Sequence, residues 1–458
     1  MKVAITMIPS QDTMVASLNA RLDRLPRWGI SESAKAALAF AYFFAFYDII
    51  SIGVALPTIV TQFHLSGAAI ALPITANLFG YIVGAYGFGT LADYMGRKKA
   101  LMGSLLILAC GALLTAFAWN NASLTAFRFV TGIGTGSQIA LCATIISELS
   151  PAARRARNLQ INIIWAGIGD GVAPLVGLAL IGIPGVGWRF VLGFGVLALI
   201  PLWLSLSLPE SPRWLVLHGR GSEANTVLSE METRVRSTVA GELPEPAPLP
   251  AEKPAHGFPT WVLLRPPYLS RLLVALGYWI LTYVTVYGFL GYEPLLLGHM
   301  GLSAPQSLLY TALGDIAFPI GAALPLVLLK VVPRKYILFG SSLVFSAAMA
   351  LLALSHSGFM VFVGAFLVAL MILINSGIGY TYTSEIFPTR ARASATALSD
   401  GIGHVGGVIA PFIVIAALAI WGARGTFWMM AIFMAVCAVI IAVAGLRTLG
   451  ESLTSIAD

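Results

Sequence analysis

Long apolar runs, separated by short polar connections, fill most of this chain. A helix that crosses the hydrocarbon core of a bilayer needs about 20 predominantly apolar residues. Twelve runs reach that length, and each predicts a membrane span: 36–61, 68–92, 100–119, 122–147, 158–182, 189–208, 268–291, 305–329, 336–355, 359–383, 394–418 and 425–446. The pattern therefore predicts an all-α integral membrane protein with twelve transmembrane helices.

One long polar connection, residues 209–266, separates the first six spans from the last six. Its stretch from Glu242 to Lys253 is rich in proline, which is typical of a spacer rather than a folded domain. We therefore predict two six-helix bundles joined by a linker. In chain order the predicted parts are an N-terminal segment (1–35), a first bundle (36–208), the linker (209–266), a second bundle (267–447) and a C-terminal tail (448–458).

Composition supports the membrane assignment. Of the 458 residues, 58% are hydrophobic and only 10% are charged, whereas soluble domains carry about 25% charged residues. The net charge of +7 does not indicate nucleic-acid binding, because the cations cluster beside apolar runs. Residues 18–35 are basic, and we expect either an amphipathic helix on the inner membrane surface or a solvated tail.

The distribution of Lys and Arg predicts the orientation. With both termini in the cytoplasm, 24 of the 27 Lys and Arg residues fall on the cytoplasmic side, and only Arg128, Arg189 and Arg424 do not. Cytoplasmic loops of membrane proteins carry such an excess. We therefore expect a multi-pass protein of the plasma (cytoplasmic, or inner) membrane. Residues 1–33 lack a cleavable-signal pattern.

Catalytic and metal-binding patterns are not evident in the sequence. Cys110, Cys142 and Cys437 all fall inside apolar runs and form no metal-binding spacing. We find no nucleotide-binding loop and no nucleophile–base pattern either. The sequence thus predicts no enzyme, no cofactor and no metal.

The connection between spans two and three reads Gly89-Thr-Leu-Ala-Asp93-Tyr-Met-Gly96-Arg97-Lys98-Lys99. Glycine at 96 permits a sharp turn, and three consecutive cations favour the cytoplasmic side. The pattern resembles the loop between helices two and three of the major facilitator superfamily. That resemblance implies a transporter built from two pseudo-symmetric six-helix bundles.

An internal repeat supports a duplicated unit. Glu148 and Pro151 follow span four ahead of Arg154, Arg155 and Arg157. Glu385 and Pro388 follow span ten ahead of Arg390 and Arg392, and 385 minus 148 is 237 residues. A repeat of the Gly89–Lys99 loop is expected after span eight. The chain there keeps its cations at Lys330, Arg334 and Lys335 but lacks the Asp and both glycines.

Pro209-Glu-Ser-Pro-Arg-Trp-Leu215 follows span six. It resembles a sequence shared by sugar porters and by related organic-ion and metabolite transporters. Exposed ion pairs contribute about 0–1 kcal/mol each, which suits a cytoplasmic latch that must open. We expect Asp93 to engage the start of span eleven or the Arg cluster after span four. The predicted gating residues are Gly89, Asp93, Gly96, Arg97, Glu148, Arg154, Arg155, Glu210, Arg213, Glu385, Arg390 and Asp400.

Asp48, near the middle of span one, is a candidate for proton coupling. Ionisable side chains inside a membrane are costly and are therefore functional candidates. Arg128 opens an Arg-x-x-x-Gly-x-x-x-Gly pattern in span four, about 10 Å below the outer surface and within reach of Asp48. Resemblance to proton-coupled sugar porters implies that Asp48 carries the proton and Arg128 tunes it. The alternative is a static buried ion pair.

Other polar and aromatic side chains within the spans are candidates for a substrate site. Trp279, Tyr283 and Tyr287 recur at steps of about four and should share one helix face, which fits a cavity wall or ordinary packing. A single buried His is often a core residue. The predicted substrate-binding residues are Gln160, Asn162, Trp165, Asp170, Trp279, Tyr283, Tyr287, Asp315, Asn375 and His404.

The sequence predicts a proton-coupled symporter of a small organic metabolite. Span seven offers Tyr283-Val-Thr-Val-Tyr287-Gly288 where sugar porters usually show a Gln-Gln pair. Tyr47-Asp48 and the span-seven Tyr-Gly look more like metabolite:proton symporters, which implies an organic acid or a related polar or aromatic solute. The alternatives are a proton-coupled sugar transporter and a proton antiporter that exports organic cations. The expected partners are a small-molecule substrate, protons and the lipid bilayer, without nucleic acid, and we expect a monomer.

Overall fold

A computed structural model describes residues 11–239, 241–247, 260–387 and 389–446, and within these ranges all regular structure is helical. The first half contains α1 (Gln11–Asp23), α2 (Glu32–Gln62), α3 (Leu72–Met95), α4 (Arg97–Ala116), α5 (Asn121–Leu149), α6 (Ala152–Leu180), α7 (Gly187–Gly193) and α8 (Leu199–Leu204). The rest contains α9 (Pro212–Leu217), α10 (Gly221–Arg236), α11 (Tyr268–His299), α12 (Ala304–Asp315), α13 (Ala317–Ala323), α14 (Pro325–Val331), α15 (Arg334–Ala353), α16 (Gly358–Glu385) and α17 (Thr389–Ala444). The all-α prediction is confirmed.

Ten stretches of described helix are long and apolar enough to cross a membrane. The last of them, Ser394–Ala444, holds two predicted spans, and the helical geometry breaks between these at Gly422. α3 (Leu72–Met95), which is not among the ten, coincides with predicted span two. These elements match the twelve predicted passages.

Several helices begin outside the apolar run that predicted them. α2 begins at Glu32 because the Ser31 hydroxyl accepts a hydrogen bond from the backbone N–H of Ala34. The capping residue is polar, so hydrophobicity alone does not locate it. Predicted span eight is divided into three shorter helices, and α14 starts at Pro325, a residue that has no backbone N–H to donate.

The N-terminal segment packs against the linker. Leu18 and Leu22 of α1 are buried, and so are Leu228 and Met231 of α10. The sequence offered a choice between a membrane-surface helix and a solvated tail for this region, and the structure instead places α1 on linker helices. α10 makes this possible because its apolar side chains form one face. Residues 242–247 of the Pro-rich stretch have no regular structure, and 248–259 lie outside the described residues.

The two ends of the bundle are named here by their charge. The basic end carries the cations near α3–α4, α5–α6 and α14–α15, together with the linker and the α16–α17 connection, and the opposite end carries the connections α2–α3, α4–α5, α6–α7, α11–α12 and α15–α16. Gly53 of α2 lies against the backbone of α11, where an added methyl group would sit 3.1 Å from the carbonyl carbon of Gly291. Only glycine permits that approach. Because Gly53 lies nearer the opposite end of α2, the halves are closed against each other there.

Candidate functional site

Asp48 and Arg128 form an ion pair that bridges α2 and α5. Arg128 Nη1 donates to Asp48 Oδ1 at 2.6 Å, and Nη2 donates to the Asp48 carbonyl at 3.1 Å. Both side chains are almost fully buried, at 0% and 1% exposure. The sequence therefore placed these two residues together correctly.

Two neighbours of this pair were not foreseen. Asn77 Nδ2 and Thr135 Oγ1 each donate to Asp48 Oδ2 at 3.2 Å. α5 can bring them close because Gly132 packs on the backbone of Asn77. Both oxygens of the Asp48 side chain thus accept hydrogen bonds. A polar residue within an apolar run was the one available signal for Asn77.

Asp400 lies in a cluster of aromatic side chains in the second half. The hydroxyls of Tyr283 and Tyr380 donate to Asp400 Oδ1 at 2.6 and 2.7 Å. His404 Nδ1 lies 3.4 Å from the same oxygen. Tyr81 of the first half stacks on the His404 ring at a centroid distance of 5.0 Å. The cluster therefore spans both halves, and Asp400, predicted for gating, lies among predicted substrate-binding residues.

The aromatic stripe on α11 continues from this cluster. Trp279 and Tyr283 stack at 5.1 Å, and Tyr283 and Tyr287 lie 5.6 Å apart. These three residues share one face, as their spacing predicts. The Trp279 indole donates to Thr383 Oγ1 at 3.0 Å, which fixes its ring against α16. Their role in substrate binding stays a prediction.

A cavity of about 620 Å³ opens between the basic ends of α2 and α6. Trp165 and Asn162 line it, and Trp165 packs on Phe40 at 5.2 Å. Four cations and one carboxylate line this cavity, namely Arg27, Lys35, Arg154, Arg157 and Glu32, and Glu32 lies 2.6 Å from Lys35. The cavity therefore offers aromatic rings and positive charge on one side of the bundle. Gln160, nearby in sequence, instead donates to the carbonyl of Ala322 in the second half at 2.5 Å.

Three further predicted substrate residues lie elsewhere. Asn375 is fully buried, donates to Ser341 and Ser342 at 3.1 and 3.0 Å, and accepts a hydrogen bond from Tyr278. Its described hydrogen bonds all stay within the second half. Asp170 and Asp315 are buried on α6 and α12, at 2% and 1% exposure.

The loop after α3 is held by ion pairs within the first half. Arg97 lies 3.1 Å from Glu148 and 3.0 Å from Asp93. Glu210 accepts a hydrogen bond from the backbone N–H of Arg97 at 2.9 Å, and Trp214 donates to the Asp93 carbonyl at 2.8 Å. Gly89 lies on α3, and Gly96 ends this helix with a positive φ of 96°. The predicted gating residues of this region thus form one network.

An equivalent pair lies in the second half. Arg334 approaches Glu385 at 3.1 Å, as Arg97 approaches Glu148. Because 334 minus 97 and 385 minus 148 are both 237, the two pairs occupy equivalent positions of the repeat. The third repeated segment, after span eight, is weak in sequence, but the structure places its ion pair at the equivalent position. Arg155 is exposed and Arg213 lies on α9, whereas the side chain of Arg390 is outside the described part of the chain.

A helical bundle with two repeated halves and a buried acid–arginine pair is the architecture of a major facilitator transporter. The family model "Sugar (and other) transporter" matches residues 34–458, so the chain belongs to that family. It is 29% identical to the putative metabolite transport protein YyaJ of Bacillus subtilis (strain 168) over 86% of this chain and 87% of that protein. It is 28% identical to the niacin transporter NiaP of Acinetobacter baylyi over 96% and 99%.

The fold has a solved counterpart. A partially occluded inward open conformation of the xylose transporter XylE from E. coli superposes with a TM-score of 0.75 at 17% identity. The match covers 92% of this chain and 99% of that chain. The predicted family and fold class are both confirmed, and the protein is a multi-pass membrane transporter.

Proposed function

We propose that this transporter is a proton-coupled symporter that carries a small organic acid, or a related polar or aromatic solute, by alternating access. The observation that carries the proposal is the enclosed Asp48–Arg128 pair, whose carboxylate accepts hydrogen bonds from two further side chains. Isolated buried charges are costly, so a rearrangement that separates the pair favours proton uptake by Asp48. Such an exchange links proton binding to a change of state.

The substrate class rests on two features. Tyr283, Tyr380 and His404 present rings and polar atoms between the halves, as a site for a small aromatic or hydroxylated solute requires. The cavity at the basic ends of α2 and α6 adds four cations against the one carboxylate of Glu32, and this excess of positive charge favours an anion. The relative named as a niacin transporter fits this class, because niacin is an aromatic acid.

A sugar is the second candidate. The family description and the xylose transporter of like fold favour it, and the tyrosine hydroxyls around Asp400 offer hydrogen bonds to sugar hydroxyls. Export of organic cations in exchange for protons is the third. A substrate panel that includes aromatic acids, sugar acids, sugars and organic cations separates these candidates.

Uptake into proteoliposomes tests the coupling. With an inward proton gradient, we expect the wild type to accumulate a substrate above its external concentration. Asp48→Asn should only equilibrate it while still exchanging internal for external substrate, because binding survives and coupling is lost. Glu223→Gln, which changes an exposed side chain of α10, is the matched control and should accumulate normally. Normal accumulation by Asp48→Asn, or proton-driven efflux of cations, contradicts the proposal.

We also infer the orientation and the membrane of this protein from the distribution of its charged residues. The excess of Lys and Arg at the basic end supports cytoplasmic termini in a plasma membrane. Each half contributes to the Asp400 cluster within one chain, which is compatible with a working monomer.

A further inference from the structure

Three carboxyl side chains lie together toward the opposite end of the bundle, away from the Asp48–Arg128 pair. They are Asp170 on α6, Glu293 on α11 and Asp315 on α12, with exposures of 2%, 2% and 1%. Asp315 interacts electrostatically with both of the others. We call these three residues the acidic trio. It combines one residue of the first half with two of the second.

The trio lies within the closed contact between the halves. Glu293 is six residues before the end of α11 at His299, and Asp170 is ten before the end of α6 at Leu180. At 1.5 Å per residue these positions are about 9 and 15 Å from the helix ends. Next to Asp170, the backbone of Gly171 packs on α12, where an added methyl group would lie 3.0 Å from the Asp315 carbonyl oxygen. Opening the opposite end therefore separates members of the trio.

Among the described residues, the side chains around the trio carry hydroxyls but no positive charge. Ser307, Thr311 and Asp315 follow each other at steps of four on α12, and Thr311 faces the Glu293 carboxyl. Tyr287 lies within electrostatic reach of Asp400 and of Asp170. Away from the basic ends of α2 and α5, the charged groups of these helices are Asp48 and Arg128, which are paired with each other. Within the described ranges no ion pair reaches the trio.

Several enclosed oxygens of this region have no hydrogen-bond partner among the described residues. This group comprises Asp170 Oδ1, Glu293 Oε1, Asp315 Oδ1, Ser307 Oγ and Thr311 Oγ1. An ionised carboxylate only accepts hydrogen bonds, whereas a protonated carboxyl also donates one. Protons on the trio would therefore add donors to a site whose other donors are hydroxyls, which can both donate and accept.

The electrostatic cost of buried charge also favours protons on the trio. A buried carboxylate without a counter-charge is strongly unfavourable, and neighbouring carboxylates cannot all ionise. A metal ion is a poor alternative, because no three His, Cys, Asp or Glu side chains within the described ranges lie close enough together to hold one. The ligand that fits the trio is the proton.

We propose that the acidic trio is a second proton-binding site, and that its protonation allows the opposite end of the transporter to close. When that end opens, water reaches the three carboxyls and they release protons. Proton uptake from that side neutralises them and removes their mutual repulsion. Closure then follows. This proposal does not depend on Asp48 as the coupling residue, because it concerns the opening of one end rather than accumulation.

The test measures access to the opposite end as a function of pH. Ile74→Cys is the reporter, since Ile74 is buried at the interface against Gly291, in a background with the three native cysteines changed to Ser. A membrane-impermeant thiol reagent is applied to the opposite side of reconstituted vesicles. Labelling rates are divided by the rate for unfolded protein at the same pH, which corrects for thiol ionisation.

With an intact trio, we expect normalised labelling to rise about tenfold between about pH 5.5 and 8.5, which corresponds to about 1.4 kcal/mol. The triple variant Asp170→Asn, Glu293→Gln, Asp315→Asn should label slowly at both pH values, because it is permanently neutral. Glu293→Asp keeps three titratable groups and should retain the rise, as should the exposed control Glu223→Gln. Retention of the rise by the triple variant overturns the proposal. So does protection of the reporter by sodium chloride, relative to choline chloride, at constant pH.

Discussion

Glu232 illustrates how one carboxylate can hold two segments together. It lies 3.0 Å from Arg21 and 2.7 Å from Arg24, and its side chain is 7% exposed. Burial raises the pKa of Glu232, but the hydrogen bonds from both arginines lower it by more, so its net pKa is below the usual value. The ionised carboxylate therefore stabilises the docking of α1 on α10.

The docking of α1 should consequently depend on pH. Because the folded pKa is lowered, the stabilisation is complete above the usual Glu pKa of about 4.3 and decreases as the pH falls through the lowered value. Glu232→Gln should remove about 1.5–3 kcal/mol at neutral pH. Hydrogen exchange of the α1 amides should then be about 10- to 100-fold faster. Glu223→Gln, nearby on α10, is the control, and unchanged exchange in Glu232→Gln would disprove the role of Glu232.

The sequence predicted the contact between charged side chains, but it did not predict the contacts of neutral polar side chains. A lone acid in one apolar run needs a partner, and Arg128 was the one cation well inside another. Asn77 and Thr135 gave no comparable signal, since uncharged polar side chains can bond to their own helix. The trio was recognised only in part: Asp170 and Asp315 were assigned to substrate binding, a prediction the geometry leaves open. Their proximity depends on packing between the halves.

The lengths of the apolar runs predicted the membrane-spanning helices, because a segment in lipid must satisfy its backbone hydrogen bonds internally. Hydrophobicity did not predict where the helices end, since capping residues such as Ser31 are polar. The packing of α1 on the linker was also unforeseen. Its apolar face indicated burial, but α10 was hidden in a connection whose proline content suggested a spacer.

Contact between α2 and α11 should control opening at the opposite end. Gly53→Ala would place a methyl group against the backbone of Leu290 and Gly291. Overpacking of this kind costs about 1–3 kcal/mol, and the cost applies only when the ends are closed. We therefore expect labelling of the Ile74→Cys reporter to increase by roughly fivefold or more at constant pH.

Gly87→Ala is the matched control for that experiment. Gly87 lies on α3 with nothing within 4 Å of an added methyl group. Its labelling should equal that of the reporter alone. Equal labelling in Gly53→Ala would show that the closed contact tolerates the added group and does not set the equilibrium.

For the whole molecule, the duplicated plan was predictable from the repeat of 237 residues. The conformational state of the transporter was not predictable, because one sequence must encode both of the alternating conformations. The structure is closed at the opposite end, and its basic-end pairs Arg97–Glu148 and Arg334–Glu385 each stay within one half.

The latch between the halves accordingly remains a prediction for the alternate state. Asp93 is 70% exposed and lies 3.0 Å from Arg97, so it is accessible to new partners when the basic ends approach. Asp93→Asn should favour separation of these ends and increase labelling of cysteines placed on their facing surfaces. Glu32→Gln, which removes an exposed pair with Lys35, is the comparison. Labelling that does not change in Asp93→Asn would count against the latch.

The attachment of α1 to α10 also determines the mechanical tether between the halves. The described chain stays on the first half as far as Pro244, whose carbonyl accepts a hydrogen bond from Arg24 at 3.1 Å. On the other side, Leu263 of the short helix Thr260–Leu264 is already buried. A fully extended chain reaches about 3.3–3.6 Å per residue, so the roughly 15 residues between Pro244 and Thr260 can span on the order of 50 Å. That length is the upper bound on how far these two anchor points can move apart.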